Sequence, residues 1–310
     1  MEFREIGKTG MKVSPLSFGA SSLGGVFHSF RENEGIDAVY AAVENGINFI
    51  DVSPYYGHLK AEMVLGKALK NIERDKYYLS TKVGRYGKDG QNFWDYSSEK
   101  SIESVYESLD RLNIDYIDLI NVHDIEFADL ELVCKETLPA LVDLKKKGIV
   151  KHVGITNLTL RHFEYVIKHV PAGTVECVLS FCHYSLNDDA LVDYLDFFEE
   201  NSVGVINASP FSMGLLTERG APGWHPAPEP LKALCRKAVE HCKSKGENIE
   251  KLAVQFAVAN PRIATTLFST TRVSSVLQNI EWANEPMNEE LLQEVQLILE
   301  PRLRDTWLNS

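Results

Sequence analysis

The chain has 310 residues, 44% hydrophobic and 25% charged, proportions of a globular protein large enough to bury a core without disulfides or a structural metal. Its 32 basic and 44 acidic side chains leave a formal charge of −12, which argues against a nucleic acid or an anionic membrane as partner, because phosphate repels such a surface. The five cysteines, Cys134, Cys177, Cys182, Cys235 and Cys242, are odd in number with no C-x-x-C pair. They read as reduced thiols of a cytoplasmic protein. The opening MEFREIGKTG lacks the apolar stretch of a secretory signal, and no run of 18 apolar residues exists, so no membrane span is expected.

In chain order, Glu2 to Val13 turns at Gly7-Lys8-Thr9-Gly10 and predicts a short hairpin. Apolar runs follow at Leu16–Phe18, Phe49–Asp51 and Tyr78–Lys82. Ser101 to Leu112 carries Ile102, Val105, Leu109 and Leu112 at helical spacing. The run Ile117–His123 precedes a helical stretch from Leu130 to Lys147, whose Lys145-Lys146-Lys147 suits the negative end of a helix dipole. Runs at Val153–Ile155 and Cys177–Ser180 come next, then a helix over Ala190–Asn201 and a run at Val203–Ile206. Ala221 to Pro230 has four prolines, which exclude helix and central strand. Helical stretches at Leu231–Ser244 and Glu289–Leu299 flank a last run, Ala264–Leu267. Gly46, Gly148 and Gly246 mark helix ends. Eight runs alternating with helices predict a single-domain (β/α)8 TIM barrel over 1–310, with an N-terminal β-hairpin closing its bottom. A doubly wound open sheet is the rival.

In such a barrel the chemistry sits where strands end. Asp51 ends the second run, Tyr56 follows it in DVSPYYG, Lys82 ends the third and His123 ends the fourth. Each alone has a bland alternative: a helix cap, a core aromatic, a surface lysine, a core histidine. Packing does not choose all of them at the ends of three successive strands, because a buried charge is costly unless paired. Together they describe a proton-transfer site. An ammonium favours the phenolate of a nearby tyrosine, a carboxylate keeps the ammonium buried, and a histidine orients the substrate oxygen.

GINFIDVSPYYG, AEMVLGKAL, LSTKVG, IDYIDLINVHD, KKGIVKHVGITN and NASPFSMGLLT together resemble the aldo-keto reductase superfamily. The resemblance implies a (β/α)8 barrel, a catalytic tetrad at Asp51, Tyr56, Lys82 and His123, and a nicotinamide dinucleotide at the C-terminal face. Thr156 and Asn157 match the pair that holds the carboxamide, and Ser180 stands where a glutamine contacts the same amide. Ala208 replaces the aromatic ring that usually stacks on the nicotinamide, with Phe211 or another ring as a substitute. Ser209 and Phe211 match the pyrophosphate loop, and Ser21 and Asp51 join the cofactor contacts. Leu267 to Asn279 matches the adenosine segment and brings Ser269, Thr271, Arg272, Ser275, Gln278 and Asn279. Ser269 and Ser275 stand where members preferring NADP often carry a cation. Arg272 is then the one nearby positive charge, so the cofactor expected is NAD.

Within the superfamily, the opening and the GLLTERG loop resemble aldose 1-dehydrogenases. This implies a small-molecule sugar substrate, L-galactose, oxidised at C1 to the 1,4-lactone on a cytosolic route to ascorbate. Substrate walls are expected from His58, Phe93, Trp94, Phe211, Trp224 and His225, whose rings and imidazoles suit a sugar. The histidines show no paired-ligand spacing, so no metal is expected. Two alternatives share the tetrad or the fold: an NADPH-dependent aldehyde or ketone reductase, and a cofactor-sensing regulatory subunit.

Overall fold

The computed structural model describes residues 2–25, 29–88 and 91–307, with only the backbone of Lys88, Gln91 and Asn92. The strands are β1 (Arg4–Glu5), β2 (Lys12–Val13), β3 (Leu16–Gly19), β4 (Phe49–Asp51), β5 (Tyr78–Val83), β6 (Arg85–Lys88), β7 (Gln91–Trp94), β8 (Ile117–Val122), β9 (Val150–Asn157), β10 (Cys177–Phe181), β11 (Gly204–Ala208) and β12 (Thr265–Phe268). Eight of them pair in parallel, β3-β4-β5-β8-β9-β10-β11-β12, and β12 pairs back onto β3. These are the eight apolar runs, in chain order. The fold is the (β/α)8 barrel, and the open-sheet rival is excluded.

Alternation along each strand divides two cores. Phe49, Leu119, Cys177, Leu179, Ile206 and Leu267 fill the interior. Neighbours such as Ile120, Val153, Val178 and Val205 face the helices. The interior set also takes Ile6, Met11 and Val13 from the antiparallel β1–β2 hairpin. Its turn meets the start of β11: a Cβ on Gly7 (φ +54°) would lie 2.5 Å from the Gly204 nitrogen, so glycine is required on steric grounds. Arg4 donates to the carbonyls of Val258, Asn260 and Ile263 at 2.8–3.0 Å. The hairpin therefore caps the end where strands begin.

Three elements depart from the sequence expectation. The helix expected over Ala190–Asn201 opens as a 3-10 segment at Ala190–Tyr194 and is α-helical only over Leu195–Glu200. The helix expected over Leu130–Lys147 is interrupted: an α-turn at Leu130–Leu132 passes into a π-turn at Val133–Thr137, and the α-helix resumes at Leu138–Lys146. Pro139 lies at its start and has no N–H to give the preceding turn, so the widened turn accommodates it. A second antiparallel hairpin, β6–β7, rises directly after β5. RYGKDGQNFW has no apolar run to announce it. The helices Glu229–Ser244 and Glu289–Leu299 pack on each other through Cys235, Ala238, Cys242, Leu291, Val295 and Leu299. No helix among the described residues is long and apolar enough to cross a membrane.

Candidate active site

Strand ends bring the four predicted residues together. Asp51 closes β4 and Lys82 is the fifth residue of β5; their side chains are 4% and 1% exposed and meet with Nζ 2.5 Å from Oδ1. Lys82 also donates to the carbonyl of Val52 at 2.7 Å. The second Asp51 oxygen accepts from Ser80 Oγ at 2.8 Å, and Ser80 in turn accepts from Asn121 at 3.0 Å. Burial works against the Lys82 charge, but Asp51 and the Tyr56 oxygen outweigh it and hold the ammonium above its usual pKa. Burial pushes the Asp51 carboxyl up, while Lys82 and Ser80 pull against it.

Tyr56 lies with its ring 4.9 Å from Lys82 Nζ and edge-on to His123, centroids 5.8 Å apart. Its backbone is pinned by a close approach of two loops. A Cβ on Gly24 would sit 2.7 Å from the Tyr56 carbonyl carbon, and one on Gly57 (φ +62°) 2.1 Å from the Gly24 oxygen. The expectation that lysine lowers the tyrosine pKa is met only as one of two opposed effects. Burial dominates, Lys82 opposes it, and the phenol is pushed up to about 12. His123 follows β8 and is buried. Desolvation lowers its pKa to about 3, against the pull of Asp124, so the ring is neutral at ordinary pH.

A second cluster, which the sequence reading missed, borders the first. Arg85, first residue of β6, ion-pairs with Asp124, and its guanidinium lies 3.9 Å from the Tyr55 ring centroid and 5.0 Å from that of Phe127. Asp124 accepts from the Thr156 hydroxyl at 3.1 Å. Burial opposes its charge, but the Arg85 guanidinium and the Thr156 hydroxyl hold the carboxyl below the usual range. Glu126 stands behind; burial, then the Asp124 charge, push it up to about 8. The signal was adjacency, since Asp124 follows His123 and Arg85 lies three residues after Lys82. Without the hairpin, nothing placed Arg85 at the mouth.

All of this opens into a cleft of about 620 Å³, a volume suited to a small ligand. Its walls include Asp51, Tyr56, Lys82 and His123, and the predicted Ser21, Thr156, Ser209, Phe211, Trp224, Ser269, Arg272 and Ser275. Other predicted residues stand outside it. Ser180 alternates with Leu179 and Phe181, which line the cleft, so it faces the other way along β10. Asn157 ties loops together, accepting from Glu126 N and donating to Thr159 O. Thr271, Gln278 and Asn279 are not on the wall; Gln278 bonds Glu281, and Asn279 donates to Ser275 O. His58 packs on Gly87 of the second hairpin. His225 bridges Ser212 O and Ala227 N within its loop. Trp94 stands beside Arg85 and Phe127, and Phe93 packs on Tyr86. Arg219 lines the cleft as well as Arg272. Beside Ala208, its register partner Phe181 brings a ring to the wall.

Residues 15–300 match the model of the Aldo/keto reductase family. The chain is 47% identical to the L-galactose dehydrogenase of Arabidopsis thaliana, over 99% of its own length and 97% of the relative. It is 32% identical to the D-arabinose 1-dehydrogenase of Saccharomyces cerevisiae, over 80% and 76%. Its fold superposes on an aldo-keto reductase from Bacillus halodurans in its holo form with a TM-score of 0.80, at 26% identity over 96% of both chains. The barrel, the strand-end cluster and these matches agree, and the chain belongs to the aldo/keto reductase family of oxidoreductases.

Proposed function

We propose that the chain is an NAD-dependent aldose 1-dehydrogenase that oxidises the C1 hydroxyl of L-galactose to L-galactono-1,4-lactone, a step towards ascorbate in the cytoplasm. The observation that carries the chemistry is the convergence of Asp51, Lys82, Tyr56 and His123 at one end of the cleft. The sugar is supported by the Arabidopsis relative.

The cleft fits an extended dinucleotide. It runs from the buried cluster to the Ser269–Ser275 segment, and the guanidinium groups of Arg219 and Arg272 on its wall suit phosphate. When bound, the nicotinamide supplies the hydride acceptor and a positive charge that acts on the phenol in the same direction as Lys82. Tyr56 as phenolate takes the C1 hydroxyl proton. Lys82, fixed by Asp51, stabilises that phenolate. His123 is neutral and so offers the reacting oxygen a hydrogen bond rather than a proton. Arg85 is paired with Asp124, so its charge is compensated beside the reacting cluster, which suits a neutral polyol. The preference for NAD rests on neutral Ser269 and Ser275; Ser269 is engaged with Ser22 at 2.8 Å.

The test follows absorbance of the reduced cofactor with NAD or NADP and a panel of L- and D-aldoses. L-Galactose with NAD is expected to turn over fastest, and Tyr56→Phe to lose at least about a hundredfold in kcat with NAD affinity retained. Faster turnover with NADP refutes the cofactor assignment. Near-normal kcat in Tyr56→Phe refutes the mechanism.

A further inference from the structure

The hydrogen bonds of His123 reach beyond the tetrad, to Ser53. Ser53 sits two residues after β4 and is fully buried. Its Oγ lies 3.0 Å from His123 Nδ1 and accepts the backbone N–H of Tyr55 at 3.1 Å. The Tyr55 amide can only donate, so it fills one lone pair of the hydroxyl and leaves the Ser53 proton to be placed. Among the described residues, Nδ1 is the remaining partner of this hydroxyl. Were Nδ1 to carry hydrogen, two donors would point at Oγ and the buried Ser53 proton would have no acceptor, at the cost of an unmade bond. The ring proton is therefore on Nε2. That nitrogen stands 3.5 Å from Asp124 Oδ2, whose negative charge favours a proton at the same place.

We propose that Ser53 is a positioning residue that holds His123 as its Nε2–H tautomer, with Nδ1 locked as an acceptor and Nε2–H presented to the reacting oxygen. The same serine ties the ring to the peptide N–H of Tyr55, immediately before Tyr56, so one hydroxyl sets the relative placement of the imidazole and the phenol. The proposal rests on the reading that His123 hydrogen-bonds the substrate oxygen.

Two measurements test it separately. In the full chain labelled with 15N-histidine, long-range correlation spectra should show His123 Nδ1 as a pyridine-type and Nε2 as a pyrrole-type nitrogen. This arm needs no substrate. A protonated Nδ1 in the unaltered protein overturns the proposal, whatever the activity turns out to be. Ser53→Ala should lower kcat roughly tenfold, the factor that about 1.4 kcal/mol of lost hydrogen bonding yields, with cofactor affinity unchanged and the Nδ1 resonance displaced. Ser53→Thr keeps the hydroxyl and should recover most of the loss. Ser53→Ala with normal kcat and an unmoved Nδ1 resonance overturns the proposal. Should Ser53→Ala fail to fold, the spectrum of the unaltered protein and the threonine variant still decide.

Discussion

Replacing Asp51 by asparagine isolates the energetics of the buried pair. Lys82 Nζ has the 2.5 Å contact with Asp51 and the 2.7 Å bond to the Val52 carbonyl, and its side chain is 1% exposed. Asparagine keeps the shape and an acceptor for Ser80 but removes the charge, leaving an ammonium enclosed with only neutral acceptors close by. Removing one partner of a buried pair costs about 3–5 kcal/mol. For a chain of this length that lowers the melting temperature by roughly 5–8 °C. The double variant Asp51→Asn/Lys82→Met removes the orphaned charge as well and should be more stable than the single, because an apolar side chain of similar volume replaces the ion. Urea unfolding followed by tryptophan fluorescence and far-UV circular dichroism gives the three free energies. A loss under about 1 kcal/mol in Asp51→Asn, or a double variant less stable than the single, refutes the argument that the pair is held by mutual charge compensation.

Arg85→Lys keeps the charge but loses the planar fork and the stack on Tyr55; kcat/KM for the sugar should fall about tenfold or more, with cofactor affinity unchanged, and steady-state kinetics with the binding constant measured by fluorescence check it. Gly24→Ala drives a methyl group into the Tyr56 carbonyl at 2.7 Å; thermal melting should show about 1–3 kcal/mol lost together with lower kcat, and unchanged stability would show that the loop yields freely. Glu126, with its folded pKa raised to about 8, is bound to its proton more tightly in the folded than the unfolded chain. Its contribution is full below the ordinary carboxyl range and is lost as pH rises through about 8. Glu126→Gln should therefore flatten the fall in melting temperature between the ordinary carboxyl range and about pH 8, and an identical pH profile in the variant contradicts the raised pKa.

The barrel was legible because its strands are short apolar runs at regular intervals, and each of the eight became a barrel strand. Asp51, Lys82 and His123 were legible because ionisable groups terminating apolar runs have no packing reason to be there, and Tyr56 because it follows Asp51 in the next loop. Arg85 and Arg219 were not, since both arrive from polar segments whose path follows from pairing and loop packing rather than from a hydrophobic pattern. Ser180 shows the limit of position by resemblance: a shift of one residue on a strand reverses the face, and Leu179 and Phe181 occupy the wall instead. His58 and His225 have the chemistry of sugar contacts, yet their partners are Gly87 and the loop backbone. Composition marks such residues as available for binding, and only the packing around them decides whether they are free for it.

The β1–β2 hairpin that caps the barrel also sets an order of events in synthesis. Arg4 finds its acceptors at Val258, Asn260 and Ile263, and Gly7 meets Gly204, in parts of the chain translated long afterwards. At about 5–20 residues per second the ribosome needs roughly 13–50 s to pass from Arg4 to Val258. Through that interval Ile6, Met11 and Val13 have no finished barrel floor to cover. This early segment is thus among the last to be secured, and a chain stopped before β12 carries an unsatisfied apolar end that a chaperone or a protease can recognise.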